Sequence, residues 1–271
     1  MKFSFEFFPP KNNLLEKKLY NTILKLNILN PYLFSVTCSS SSNSEELTLS
    51  TAKLIQKKTN ITTAAHLTCI NFDTYELKKI ALNYWENGIK SIVALRGDNI
   101  IKTNNSSNMH ASDLVTLLKN VADFDISVAA YPEVHPEAHS PFSDLINLKK
   151  KIDNGASRAI TQFFFNVDSY LKFRDRCIAI GITVDIIPGI LPILSFKQLK
   201  KFLSMTNICI PKKIYTIFEQ TQNDHNVQKI IGSSIAIDLV EKLYSEGVKI
   251  FHFYTLNNAD TMCAIYHCLN H

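Results

Sequence analysis

Residues 73–88, DTYELKKIALNYWENG, and residues 91–96, SIVALR, decide the fold. Asp73 with Glu76 three positions on is a capping box, and Leu77, Ile80, Ala81 and Tyr84 recur at helical spacing. Gly88 closes the helix, and the short apolar run that follows reads as a strand. The same unit recurs along the chain. Strands are predicted at 3–8, 32–37, 62–67, 91–96, 127–131, 159–164, 184–189 and 250–255. Between them Ser140-Pro141 starts a helix with Leu145, Leu148 and Ile152 on one face and Gly155 at its end, and Gly181 and Gly247 stop two more. About eight β/α units without a break in composition predict an α/β fold, a single-domain (β/α)8 TIM-type barrel over residues 1–271. A doubly wound sheet shares these local units but would usually carry a phosphate-binding glycine loop. The 7 glycines never occur as GxG, so a dinucleotide-binding Rossmann domain is disfavoured.

Composition narrows the class. The chain of 271 residues is 46% hydrophobic, enough for a large core, and its apolar run at 182–194 is cut by Asp185, Pro188 and Pro192, so no membrane span is expected. No signal peptide is visible, and a cytoplasmic location follows. The 6 cysteines (Cys38, Cys69, Cys177, Cys209, Cys263, Cys268) form no CxxC pair and read as buried hydrophobes or inert thiols. The net charge of +5 is dispersed in short lysine clusters, which argues against nucleic acid as a partner. Lys149-Lys150-Lys151 reads as a solvated helix face.

In such a barrel the chemistry sits at the C-terminal ends of the strands. Those ends carry Glu6, Thr37, His66, Arg96-Gly97-Asp98, Tyr131 with His135, Gln162 and the turn 255–258. In the opening strand, period two puts Ser4, Glu6 and Phe8 on one face and Phe3, Phe5 and Phe7 on the other, and Pro9-Pro10 end the ladder. A carboxyl on an otherwise apolar strand is desolvated, which favours the neutral, proton-donating form of Glu6. His66, His135 and His252 are each equally readable as satisfied core histidines. Phe196, Leu199, Phe202 and Leu203 follow helical spacing and read as core. No lysine stands at a strand end, which disfavours a Schiff-base aldolase, and His66 and Cys69 lack further zinc-type ligands nearby.

Several strings carry a family likeness: FEFFPP (5–10), HLTC (66–69), ALRGD (94–98), YPEVHPEA (131–138), ITQFF (160–164), PGILP (188–192) and FHFYTLN (251–257). Together they resemble the bacterial methylenetetrahydrofolate reductases, in order and over essentially the whole chain. The resemblance implies a flavin-binding barrel that reduces 5,10-methylenetetrahydrofolate to 5-methyltetrahydrofolate by a ping-pong scheme, in the one-carbon metabolism that supplies methionine synthesis. It implies bound FAD, NADH as the reductant and a homo-oligomer. By the same resemblance Glu6 is the general acid, and Asp98 tunes the flavin and stabilises the iminium form of the folate. Thr37, His66, Arg96, Gly97, His110, Ala111, Tyr131, His135 and Ala138 line the cofactor, and Asp144, Asn147, Lys150 and Lys151 hold its ribose, adenine and pyrophosphate. Gln162, Gln198 and Phe202 receive the folate, and Asn258 stands where an arginine usually meets its glutamate tail.

The chain also departs from the pattern. Cys38-Ser39-Ser40 replaces Tyr-Gly-Ala, His110 replaces a tyrosine and Lys150 an arginine. The segment usual before the first strand is expected to be missing, as is a C-terminal regulatory domain. A flavin barrel that oxidises an amine or imino acid would need a carboxylate-binding arginine cluster, which the sequence does not display. A subunit kept only for assembly would not need to retain Glu6, Asp98 and Gln162.

Overall fold

The computed structural model describes residues 1–38, 44–70, 72–97 and 109–270. In chain order the elements are β1 (Lys2–Phe7), α1 (Asn13–Asn27), β2 (Leu33–Val36), α2 (Ser44–Thr59), β3 (Thr63–Thr68), α3 (Thr74–Glu86) and β4 (Ser91–Leu95). Then come α4 (Ala111–Val121), β5 (Asp125–Ala130), α5 (Pro141–Asp153), β6 (Arg158–Thr161), α6 (Val167–Ala179), β7 (Asp185–Ile187) and β8 (Gly189–Ile190). The chain ends with α7 (Phe196–Met205), α8 (Lys212–Gln220), α9 (His225–Ser245), β9 (Ile250–Tyr254) and α10 (Ala259–Leu269). The expected capping box forms at α3, where Asp73 Oδ1 accepts from the Glu76 N–H and Glu76 Oε2 from the Asp73 N–H, both at 2.8 Å.

All strands are parallel, in the order β7-β6-β5-β4-β3-β2-β1-β9-β8. The expected strand 184–189 is split at Pro188. Its first half pairs with β6 and its second half with β9, so this one segment spans the seam of the barrel. The cause is local. Proline donates no N–H, while its carbonyl accepts from His252 N at 3.0 Å, and Gly189 N turns to Thr161 Oγ1 at 2.9 Å. Counted as one, β7 and β8 make the 9-stranded sheet a (β/α)8 barrel in a single domain.

Alternation along the strands sorts the core into two layers. Phe3, Phe5 and Phe7 point outward to the helices and are buried with Phe34, Phe251 and Phe253. Ring centroids there lie 5.3 Å apart for Phe7–Phe34 and 5.7 Å for Phe3–Phe253. Each such ring contributes about 1.5–3 kcal/mol through burial. Phe8 falls past the end of β1 and is exposed, so it does not share the Glu6 face.

The inward positions are unusually polar, with Ser4, Ser35, Ser91, Ser127, His66 and His252 all buried. At the N-terminal end of the barrel Arg158 grips Asp125 through two bonds of 2.7 and 2.8 Å, and Ser91 and Ser127 complete the cluster at 3.0 and 3.1 Å. Burial pushes the Asp125 carboxyl up, but Arg158 pulls it further down. This plug closes the end where a barrel keeps its stability rather than its chemistry. At the opposite end α7 and α8, which come in addition to α9 between β8 and β9, help form a second cluster of Phe163, Leu191, Ile193, Phe196, Leu199 and Phe218 against the mouth.

Candidate active site

Glu6 lies one residue from the end of β1, in register with Ser35 of β2 and Tyr254 of β9. Its side chain is only 13% exposed. His66 Nε2 stands 3.3 Å from Glu6 Oε2 but out of line for a hydrogen bond. His252 Nε2 meets the same oxygen at 3.4 Å, and His252 Nδ1 contacts Ser4 Oγ at 2.8 Å. Here the surroundings differ from the apolar strand face that the sequence predicts. Burial pushes the Glu6 carboxyl up, but the His252 hydrogen bond and the two imidazoles pull it down, and the net direction is below the usual carboxylate range. Burial likewise holds His66 below the usual imidazole range. Tyr254, whose hydroxyl donates to Thr161 O at 2.8 Å, is pushed well up by burial and by Glu6.

His252 and Tyr254 are the partners that sequence reasoning undervalued. The signal was present in the alternation Phe251-His252-Phe253-Tyr254, which mirrors Phe3-Ser4-Phe5-Glu6. In register, Ser4 pairs with His252 and Glu6 with Tyr254.

The residues named for FAD lie above β2 to β5. Thr37 follows β2, and its N–H donates to Phe7 O at 2.9 Å. Arg96 follows β4 and is ion-paired with Glu137. Gly97 has φ +91, and a Cβ there would come within 3.0 Å of Thr68 and Ile70, so only glycine brings the chain this close. His110 precedes α4, its N–H bonded to Asp113 Oδ2 at 2.8 Å, and Ala111 opens that helix. Tyr131 and His135 meet edge to face at 4.6 Å, and Ala138 N–H closes the turn onto His135 O at 3.0 Å. Asp144 accepts from His135 N at 2.9 Å, while Asn147 and Lys150 are exposed on α5.

Lys151 departs from the solvated-face expectation. It is drawn inward, its Nζ donating to Ala129 O at 2.5 Å, and burial brings its pKa down to about 8. By their chemistry, cationic donors such as Arg96, Lys150 and Lys151 suit an anionic diphosphate, and Asp144 and Asn147 suit ribose and purine groups. Asp98 lies outside the described residues.

On the other side of the mouth, Gln162 follows β6 and Gln198 sits in α7, each carboxamide oxygen accepting a backbone N–H, from Phe163 at 3.1 Å and Leu194 at 2.7 Å. Phe202 packs edge-on against Phe163 at 5.5 Å. A cavity of about 130 Å³ opens beside them, lined by Tyr131, Val134, Gln162, Phe163, Met205 and Ile208. Val134 has φ 71, a costly conformation for a β-branched residue and one that tends to mark working loops. Glu133 Oε2 accepts from Cys209 N at 2.7 Å, tying this loop to the α7–α8 connection. Asn258 caps α10, its Oδ1 accepting from Thr261 N at 3.1 Å. Among the described residues no three His, Cys, Asp or Glu side chains are grouped to hold a metal ion, and no helix is long and apolar enough to cross a membrane.

The sequence model of the methylenetetrahydrofolate reductase family matches residues 1–270. A 5,10-methylenetetrahydrofolate reductase of Buchnera aphidicola from Acyrthosiphon pisum is 59% identical over 266 residues, covering 98% of this chain and 91% of its own. That of Escherichia coli is 55% identical over 266 residues, covering 98% and 90%. Among solved structures, a Clostridium thermocellum protein described as binding two copies of 5-methyl-5,6,7,8-tetrahydrofolic acid superposes with a TM-score of 0.70 at 15% identity, over 98% of this chain and 93% of that one. At that identity the likeness speaks for the barrel alone.

Proposed function

Because the chain belongs to the methylenetetrahydrofolate reductase family, we propose that it reduces 5,10-methylenetetrahydrofolate to 5-methyltetrahydrofolate with bound FAD and NADH, in two alternating half-reactions. The observation that carries this reading is the buried Glu6 carboxyl at the barrel mouth, in reach of His66 and His252.

FAD, when bound, would supply hydride transfer from NADH to the folate carbon. The donor set over β2 to β5 fits it, with Arg96, Lys150 and Lys151 toward the diphosphate and Asp144 and Asn147 toward the ribose and adenine. Glu6 supplies the proton. As the C–N bond of the folate's five-membered ring breaks, the electron pair leaves on nitrogen and takes the proton from the carboxyl, giving an iminium. That iminium takes the hydride and becomes the methyl group.

The two imidazoles hold the Glu6 carboxyl toward its ionised form. A ligand that expels the remaining water favours the neutral carboxyl over the ionised one, and so loads Glu6 as the acid. Ser4 orients His252 at its other nitrogen. Asp98 is assigned the charge that stabilises the iminium, and Phe202 the contact with the aromatic part of folate. The bacterial relatives and the absence of a membrane-crossing helix among the described residues support a cytoplasmic location. Apolar side chains left at the surface, such as Leu14, Ile28 and Ile230, support a homo-oligomer.

The absorption spectrum of the purified protein tests the cofactor, since a colourless protein that takes up no FAD refutes it. Stopped-flow measurement of Glu6→Gln tests the mechanism. The variant should be reduced by NADH at a near-normal rate, and its reoxidation by the folate should be slowed about 10²–10⁴-fold. Normal reoxidation, or equal slowing of both halves, removes Glu6 as the acid.

A further inference from the structure

We propose that Asn257 and Thr255 are positioning residues for Glu6, a clasp from the β9–α10 turn that holds the end of β1 so that its carboxyl stays between His66 and His252. This rests on the reading of Glu6 as the acid and names the residues that keep it aimed. Pro9 and Pro10 offer no N–H, so the ladder of β1 has no regular continuation, and the backbone groups of Phe8 fall past its last rung. Asn257 replaces that rung with its side chain. Its Oδ1 accepts the Phe8 N–H at 3.0 Å, and its Nδ2 donates to Phe8 O at 3.0 Å. One residue pair earlier, the Thr255 hydroxyl donates to the carbonyl of Glu6 itself at 2.6 Å. Asn257 N–H then closes onto Thr255 Oγ1 at 3.1 Å. From the other side, Thr37 N–H holds Phe7 O at 2.9 Å. Three successive residues, Glu6 and Phe7 at the end of β1 and Phe8 just past it, are thus gripped from two directions at the point where the carboxyl projects.

The turn is driven into an unfavourable shape to make this grip. Leu256 and Asn257 both have positive φ, 51° and 55°, in consecutive non-glycine residues. Asparagine tolerates that region, but leucine does so reluctantly. Such a conformation persists only where its surroundings over-determine it. Here they do so at both ends, through the clasp and through the Asn258 cap on α10. Among the described residues, the charged or titratable groups facing the Glu6 carboxyl are His66 from β3 and His252 and Tyr254 from β9. The two imidazole contacts, at 3.3 and 3.4 Å, lie near the outer limit of useful contact. A small shift of the β1 end therefore changes what the carboxyl meets.

The test uses the full chain with Asn257→Gly, which accepts the same φ without a carboxamide, and Thr255→Val, which keeps the shape without the hydroxyl. Thr255→Ser is the conservative control. The proton on Glu6 is read directly by infrared titration of its carboxyl band, assigned by subtracting the Glu6→Gln spectrum. In both lesions the midpoint should move by about one pH unit, a tenfold change in proton affinity. Reoxidation by folate should slow about 10- to 100-fold, reduction by NADH should hold within about twofold, and Thr255→Ser should restore both readouts. Lower melting temperatures with an unmoved midpoint would make the clasp merely structural and overturn the proposal. If Asn257→Gly does not fold, the Thr255 pair decides by the same readouts. A normal folate half-reaction in Glu6→Gln would sink the acid instead, leaving the clasp to be judged by the infrared midpoint alone.

Discussion

Gly189→Ala tests how tightly the barrel seam is drawn. A Cβ at this position would lie 2.2 Å from Thr161 O and 2.7 Å from Tyr254 Cε2, where ordinary contact begins at 3.4 Å. The Thr161 carbonyl would have to retreat by more than 1 Å, and it is backbone of β6, not the free end of a side chain. Two bonds centre on Thr161, from Gly189 N to its Oγ1 at 2.9 Å and from the Tyr254 hydroxyl to its carbonyl at 2.8 Å. Their loss costs about 0.5–1.5 kcal/mol each and overpacking about 1–3 kcal/mol, so destabilisation should fall at about 2–6 kcal/mol. For a chain of this size that lowers Tm by at least about 4 °C. Trp85 is the sole tryptophan and packs edge-on against Phe124 at 5.0 Å, so its fluorescence reports urea unfolding. The comparison is Gly247→Ala, where φ is +88 and no atom lies within 4 Å of the added methyl, leaving a left-handed penalty of about 1–2 kcal/mol. If Gly189→Ala costs no more than Gly247→Ala, the close seam is wrong.

Stability should fall on acidification in two stages. His66 is held below its ordinary 6.5, so the unfolded chain binds the extra proton and stability drops as pH falls from about 6.5; Glu6, held below 4.5, adds a further loss beneath that value. Urea midpoints across this range check it, and His66→Gln should flatten the upper stage, an unchanged slope refuting the assignment. Cys209 and Cys268 are exposed, whereas burial pushes Cys69 and Cys177 to about 12. A thiol reagent should therefore mark the first two in the native protein and the second two only after unfolding, and native labelling of Cys69 at the rate of Cys209 would contradict this. Asn258→Arg should lower the folate KM, a charge-assisted bidentate contact being worth about 1.5–3 kcal/mol, while loss of the α10 cap costs about 0.5–2 kcal/mol of stability. An unchanged KM with a lower Tm would leave Asn258 as a cap and nothing more.

The parts of the fold legible in sequence are those written in local periodicity. The capping box of α3, the alternation of β1 as far as Phe7 and the Ser140-Pro141 start of α5 each depend on residues a few positions apart, and each stands as expected. The split at Pro188 was not legible, because the partner that accepts the second half of that segment is β9, some 60 residues on. The environment of Glu6 was misjudged for the same reason. Its burial follows from β1, but the imidazoles that set its charge arrive from β3 and β9. Lys151 was hidden in a run of three lysines, since helical geometry turns only one of them toward Ala129.

Pairing of β1 with β9 also sets the order in which this molecule can be completed. Ser4 and His252 meet across 248 residues of chain, so the proton cluster cannot exist until nearly all of the polypeptide is available. At ordinary synthesis rates, β1 waits on the order of 12–50 s for its partner to be made. Throughout that interval the Phe3-Phe5-Phe7 edge has neighbours on one side only, a template for pairing with other nascent chains. The last closure, with its long loop to bring together, is the entropically slow step. Completion of the fold and the reductase chemistry proposed here thus converge on the pairing of β1 with β9, and any truncation that removes the final strand takes the acid's partner with it.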